Sequence, residues 1–439
     1  MIINHNEIMS ALAEKSQTSA QSAQQILAKA RERKGLDWRE ALTLLTAAES
    51  DASIESELLT LAAQIKAELY GSRVVLFAPL YLSNYCVNGC VYCPFNCTNT
   101  TIPRRKLSQD EIRREVIALQ DMGHKRLALE AGEHPEHSPL DYILESIDTV
   151  YSIRHRNGVI RRVNVNIAAT TREEYARLKA AKIGTYLLFQ ETYHEETYRK
   201  LHLSGPKSDY DYHLNAPDRA MAGGIEDIGL GVLFGLIADY RYEFAALLMH
   251  AGHLESAHGV GPHTISLPRI RSAQGVSNER EFGSGISDDE FIRIVAALRV
   301  SVPYTGIIVS TRESADCRLR ALAAGVSQIS GGSKTAVGGY SESANVSKKS
   351  AVADASQFKI NDERTLDEIV RWLLENDYIP SFCTACYSEG RVGEVFMGLV
   401  KSGGIKAHCQ SNALITLREY LRDYASEATR EVGHRRGLA

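Results

Sequence analysis

Cysteines 86, 90, 93 and 97, in the stretch NYCVNGCVYCPFNC, bring four of the chain's eight thiols within twelve positions. Four thiolates so close could close a tetrahedral site around one metal ion. Three of them could instead hold an iron–sulfur cubane, which normally takes four thiolates, and leave one iron open to a small molecule. A second group, Cys383, Cys386 and Cys409, lies about 290 residues further on in PSFCTACYSEGRVGEVFM and KAHCQSNA. Here too three cysteines leave a cubane one ligand short. The alternative is a zinc site in which His408 completes a set of three thiolates and one imidazole. Only Cys317 stands alone, in the helix-like ESADCRLRALAAG, and reads as a small buried residue. In a reducing compartment, clustered cysteines are metal ligands more often than disulfides.

Other residues have types suited to a site. Arg312 in STRE carries a guanidinium fork that matches a planar carboxylate. A capping ion pair with Glu313 would explain it equally well. His263 in GPHTIS suits a metal, although a lone histidine is more often a satisfied structural one. Gln190 and Glu191, at the end of a strand-like run, would face whatever site lies there.

The elements that must position these residues alternate in type. Residues 1 to about 70 carry apolar residues at helical spacing, with Gly35 and Gly71 as stops. Short β-branched runs follow at 73–80, 125–131, 163–169, 185–192, 227–236, 263–270, 305–313 and 326–332. Helical patterns separate them, among them SQDEIRREVIALQDMG and SDDEFIRIVAALRV, which open with Ser or Asp caps and acidic first turns. Eight strands alternating with helices predict an α/β fold, a (βα)8 TIM-type barrel. Periodicity does not show closure, so an open doubly wound sheet is the alternative. The first cysteine loop and Arg312 then follow strands one and seven, on the C-terminal face where barrel sites are built.

The expected domains are an N-terminal helical extension (1–72), the barrel (73–345) and a small, mostly helical C-terminal domain (346–439). Residues 338–357, rich in Ser, Ala and Lys, read as a linker or mobile loop. The Gly-rich SGGSKTAVGGY (330–340) lacks the glycine order of a phosphate loop and reads as close backbone approach to the site. The composition, 44% apolar and 24% charged, is that of an ordinary globular chain. A net charge of −4 gives no basic footprint for nucleic acid. No run of about 18 apolar residues is present to span a membrane. The N-terminus lacks the apolar core of a secretory signal, so a cytoplasmic location is expected.

Cys86-x3-Cys90-x2-Cys93 after a first barrel strand closely resembles the signature of the radical S-adenosylmethionine (radical SAM) enzymes. That resemblance implies that these three cysteines hold a 4Fe-4S cluster whose open iron is chelated by S-adenosylmethionine. Gly132 and Glu133, in EAGE, match the turn that receives the methionine amine, and Tyr92 offers an aromatic surface to the adenine. Cys97 is then a spare thiol.

A narrower resemblance runs through LFAPLYLSNYCVNGCVYC, RRVNVNIAATT, GTYLLFQETYH, LHLSGPKSDYDYHLNA, GVGPHTISLPR, YTGIIVSTRES and both C-terminal cysteine segments. In this order and over residues 70 to 430 they resemble the HydG family of tyrosine lyases, maturases of FeFe-hydrogenases. Membership would imply cleavage of L-tyrosine to p-cresol and dehydroglycine. Dehydroglycine would become CO and cyanide on an auxiliary 4Fe-4S cluster held by Cys383, Cys386 and Cys409. His263 matches the ligand of an extra, labile iron joined to that cluster through free L-cysteine. Ser310 and Arg312 match the anchor of the substrate carboxylate. The implied product is an Fe(CO)2CN-cysteine unit. The implied partners are an electron donor such as ferredoxin or flavodoxin and other hydrogenase maturases. A ThiH-like 2-iminoacetate synthase for thiamine thiazole synthesis would need only the first cluster. A non-catalytic iron–sulfur or zinc protein would need neither the barrel nor Arg312.

Overall fold

The computed structural model describes residues 2–14, 19–276, 285–343 and 355–438. The eight β-branched runs form eight parallel strands: β1 (Arg73–Ser83), β2 (Arg126–Ala131), β3 (Arg162–Asn166), β4 (Tyr186–Leu187), β5 (Ile228–Gly231), β6 (Thr264–Ser266), β7 (Gly306–Val309) and β8 (Gln328–Ser330). Each pairs with the next, and β8 returns to β1 with Val75 opposite Gln328. That last pairing closes the ring and rules out the open sheet. The fold is a (βα)8 barrel. Helices Gln109–Asp121 and Asp288–Ser301 begin where their caps require. Ser108 and Ser287 each accept from the third helical N–H, and Glu111 and Glu290 reach back to complete reciprocal boxes.

Among the described residues four helices precede the barrel: His5–Ala13, Ala20–Ala30, Trp38–Ser50 and Ala52–Tyr70. The last two pack on Asp288–Ser301, and Trp38–Ser50 also meets Tyr240–His258. Past the barrel, β9 (Ile379–Ser381) adds to the start of β1, with Arg73 opposite Ile379 and Val75 opposite Ser381. Pro380 is tolerated because β9 is an edge strand and its missing N–H costs no ladder bond there. The second cysteine group is thereby fixed at the N-terminal end of β1, while the first follows its C-terminal end. Cys409 lies on the long helix Ile405–Asp423 that packs on β9.

Of the expected linker, Gly339–Ser343 is a short helix, and residues 344–354 lie outside the described residues. The Gly-rich run serves a different purpose from the expected one. A side chain at Gly331 would meet Leu366 and Ile369, and one at Gly332 would stand 2.6 Å from Met122. These glycines allow outer helices to pack against the end of β8. Among the described residues no helix is long and apolar enough to cross a membrane.

Candidate metal sites at the two ends of the barrel

The loop after β1 turns Cys86, Cys90 and Cys93 onto one wall of a cavity of about 160 Å³. Segment 201–207 holds it in place. Gly89 N–H donates to the Ser204 carbonyl (2.9 Å), and Val91 N–H to that of Leu201 (3.0 Å). Asn88, within the x3 gap, is the hub. Its Nδ2 donates to Glu133 Oε2 (2.6 Å) and reaches Cys86 Sγ at 3.6 Å. Its Oδ1 accepts from the Lys207 N–H (2.9 Å). Arg104 ties the far side by donating to the carbonyls of Asn84, Phe95 and Asn99. Cys97 is exposed and does not line the cavity. Burial pushes the Cys90 thiol well up and that of Cys93 to about 12. Such groups become thiolates when a cation arrives, because its charge offsets the desolvation.

Gly132 and Glu133 border the same cavity. A Cβ at Gly132 would stand 2.3 Å from the Tyr85 carbonyl oxygen and 3.1 Å from Cys86 Cβ. Only glycine lets β2 approach the cysteine loop so closely. Gly132→Ala must displace that loop at a cost of about 1–3 kcal/mol. In a chain also lacking Cys383, Cys386 and Cys409, where bound iron reports the upper site alone, it is expected to lose most of its iron after anaerobic reconstitution.

Tyr92 packs against Leu233 and Ile270 and lines the cavity. His202 Nδ1 lies 2.8 Å from the Tyr198 carbonyl and so donates there, which leaves Nε2 to accept from the Tyr92 hydroxyl at 2.7 Å. Burial, then the Lys207 charge, lowers His202 to about 3, so this imidazole stays neutral. Of the pair after β4, only Glu191 faces the cavity, in a left-handed conformation (φ 67°) that costs a non-glycine residue energy. It binds Lys207 Nζ at 2.9 Å. Burial alone would lower the Lys207 ammonium, but Glu191 holds it above the usual range.

Arg312 does not pair with Glu313. Glu313 is taken by Arg269 and Arg271, the latter at 2.7 Å. Arg269 also meets Asp288 and Cys317, so this acidic group already has its cation, and Cys317 is buried as expected. The Arg312 guanidinium lies over the Phe358 ring at 3.5 Å and faces both the upper cavity and a lumen cavity of about 100 Å³ below it. Ser310 lines that lumen cavity.

At the other end, Cys383, Cys386, Cys409 and His263 line a third cavity, of about 50 Å³, with Arg73 and Arg126. His263 immediately precedes β6, so it belongs to the N-terminal face of the barrel. It therefore lies at the opposite end of the barrel from the first cysteine loop. Asp227 Oδ1, fixed by the Gly393 N–H (3.0 Å), stands 3.4 Å from His263 Nδ1. Its Oδ2 accepts from Arg162 (3.1 Å). Among the described residues Nδ1 is buried without a hydrogen-bond partner, and Nε2 lies 3.4 Å from the Tyr387 hydroxyl, so the ring keeps donor capacity a metal could use. Burial lowers the His263 pKa, which favours the neutral imidazole a metal needs. Cys409 and Arg391 favour the thiolate of Cys386. His408 is exposed and does not line this cavity, so the zinc set that included it is not assembled. Gln328 of β8 borders both the lumen cavity and this lower one.

Asn88, Lys207, Asp227 and Glu130 join these sites without having been singled out by sequence. Asn88 alone left a signal, since it sits inside the cysteine spacing.

Residues 80–248 match the Radical SAM superfamily, and 266–379 the Biotin and Thiamin Synthesis associated domain. A crystal structure of HydG, a maturase of the FeFe-hydrogenase, superposes with a TM-score of 0.94 at 50% identity, covering 99% of this chain and 92% of that one. HydG from Carboxydothermus hydrogenoformans gives 0.78 at 36% identity over 98% and 97% of the two chains. The 2-iminoacetate synthase of Escherichia coli (strain K12) is 33% identical over 286 residues, 65% of this chain and 73% of that protein. Radical SAM enzymes use a 4Fe-4S cluster with S-adenosylmethionine, and three buried or half-buried thiols around one cavity fit such a cluster with an iron left open. Closed barrel, three-thiol loop and near full-length likeness agree, and the chain belongs to the HydG-type radical SAM enzymes.

Proposed function

We propose that the chain is a radical SAM tyrosine lyase that cleaves L-tyrosine to p-cresol and dehydroglycine and then makes CO and cyanide for FeFe-hydrogenase maturation. The observation that carries this is a three-thiol site at each end of one closed barrel, with the lumen between them. Cys86, Cys90 and Cys93 would hold a 4Fe-4S cluster, which together with S-adenosylmethionine would supply the radical for hydrogen abstraction. Gly132 and Glu133 receive the methionyl amine, and Tyr92 presents its ring to the adenine. Arg312 and Ser310 hold the tyrosine carboxylate. Phe189, Pro268 and Phe358 wall the lumen and keep water from the reacting bond.

The two-carbon fragment then descends past Gln328 to the lower site. There Cys383, Cys386 and Cys409 would hold an auxiliary 4Fe-4S cluster, and His263 would offer a ligand to a labile iron bound with free L-cysteine. The product is an Fe(CO)2CN-cysteine unit delivered to other maturases, with ferredoxin or flavodoxin as electron donor in the cytoplasm. A 2-iminoacetate synthase would share the upper site, and the Escherichia coli relative favours that second reading. It leaves the lower thiols and the Asp227-backed His263 without a purpose.

Anaerobic reconstitution with S-adenosylmethionine, tyrosine, cysteine and reductant tests both. p-Cresol with CO and cyanide is the expected result. p-Cresol alone would select the synthase, and no p-cresol would sink both readings.

A further inference from the structure

Glu130 has no part in the reaction proposed above. It sits at the C-terminal end of β2, opposite Tyr81 of β1 and Asn166 of β3. Strand alternation turns it into the barrel on the same side as Ala128. It lines both the upper cavity and the lumen cavity below. Among the described residues that border both, Glu130 and Arg312 alone carry charge, one of each sign. They attract each other, yet among the described residues neither is in a side-chain ion pair. An anion and a cation facing one space without touching are complementary to a zwitterion. The α-carboxylate of an amino acid suits Arg312, and its α-ammonium then points to Glu130.

Hydrogen-atom removal from an ammonium would leave a cationic nitrogen radical beside Arg312 in a water-poor cavity, where like charges repel strongly. A neutral amine avoids that cost. We propose that Glu130 is a catalytic residue that binds the substrate ammonium and accepts its proton, so that the amino group enters the hydrogen-abstraction step uncharged. The step moves one proton: R–NH3+ and the carboxylate become R–NH2 and a neutral carboxyl, and no electron is exchanged. Burial, opposed by Arg312 and by a hydrogen bond from the Asn166 side chain, raises the Glu130 carboxyl to about 8; a substrate ammonium seated beside it favours the carboxylate, which then accepts the ammonium's proton. The groups facing it are the Asn166 side chain of β3, which hydrogen-bonds it, Arg312 after β7, Glu191 after β4 with its partner Lys207, the Tyr81 phenol, which donates to Gln357 (2.7 Å), and the thiols of the loop above.

This inference rests on the tyrosine-lyase reading, and the test separates the two. Wild type, Glu130→Gln and Glu130→Asp are reconstituted alike, with iron content and S-adenosylmethionine binding as measures of integrity. p-Cresol formation is then followed against pH. Glu130→Gln is expected to keep its iron and lose about 100-fold in kcat at neutral pH. Its residual rate should climb at alkaline pH with the free amine's own titration. Glu130→Asp should restore the wild-type profile at reduced rate. An unchanged pH profile in Glu130→Gln, or loss of iron in that variant, overturns the assignment while the lyase reading stands. A wild type that makes no p-cresol overturns both.

Discussion

Cys93→Ala is expected to abolish p-cresol formation and to lose the upper cluster, whereas Cys97→Ala keeps both. The two positions are four residues apart, and composition alone does not distinguish them. Cys93 is half-buried on the cavity wall with its thiol pushed up by desolvation, so a bound cation is what would make it a thiolate. Cys97 is exposed and does not line that cavity, and its N–H bonds back to the Asn88 carbonyl at 2.9 Å. If Cys97 took the fourth iron, S-adenosylmethionine would have no open metal to chelate. Iron and sulfide analysis with a p-cresol assay on both variants decides the matter. Loss of the cluster in Cys97→Ala would overturn the three-ligand assignment.

The second large effect divides the reaction. Cys386→Ala should keep p-cresol formation near wild type and eliminate CO and cyanide. Bound iron should fall by about four to five atoms per chain, one cubane and the labile iron. The reasoning is spatial. Cys386 borders only the lower cavity, and every residue proposed to hold S-adenosylmethionine or the tyrosine carboxylate borders the upper one or the lumen. Sites on separate walls with no shared ligand respond independently. Equal loss of p-cresol in Cys386→Ala would show that the lower group is needed to build the barrel, and would remove the basis for two stages.

The barrel was legible because each strand is a β-branched run set off by helical spacing, and the helix starts at Ser108 and Ser287 were legible from their caps. Closure was not, since it depends on Val75 meeting Gln328 across almost the whole fold. The first cysteine group was readable from spacing alone. His263 was readable as a candidate but not as to place, because a barrel's active face is assumed to be the C-terminal one. The second thiol group reaches the opposite face through β9, a three-residue strand containing Pro380 that carries almost no β signal, and through the helix Ile405–Asp423 that bears Cys409. Arg312 was ambiguous against Glu313 until Arg269 and Arg271 arrived from after β6 to occupy it. Glu130, Lys207 and Asp227 look like any other charged residue in sequence. They acquire meaning when the ring brings their strands and loops together.

The pairing of β9 and β8 with β1 also bears on the order of folding. β1 is among the first barrel residues to leave the ribosome, yet two of its partners, β8 on one side and β9 on the other, lie about 250 and 300 residues later in the chain. Those two pairings therefore wait for most of synthesis, and contacts of such sequence separation form slowly. Both cysteine groups hang from the ends of this one strand. A nascent chain presents its first three thiols long before the barrel around them is closed.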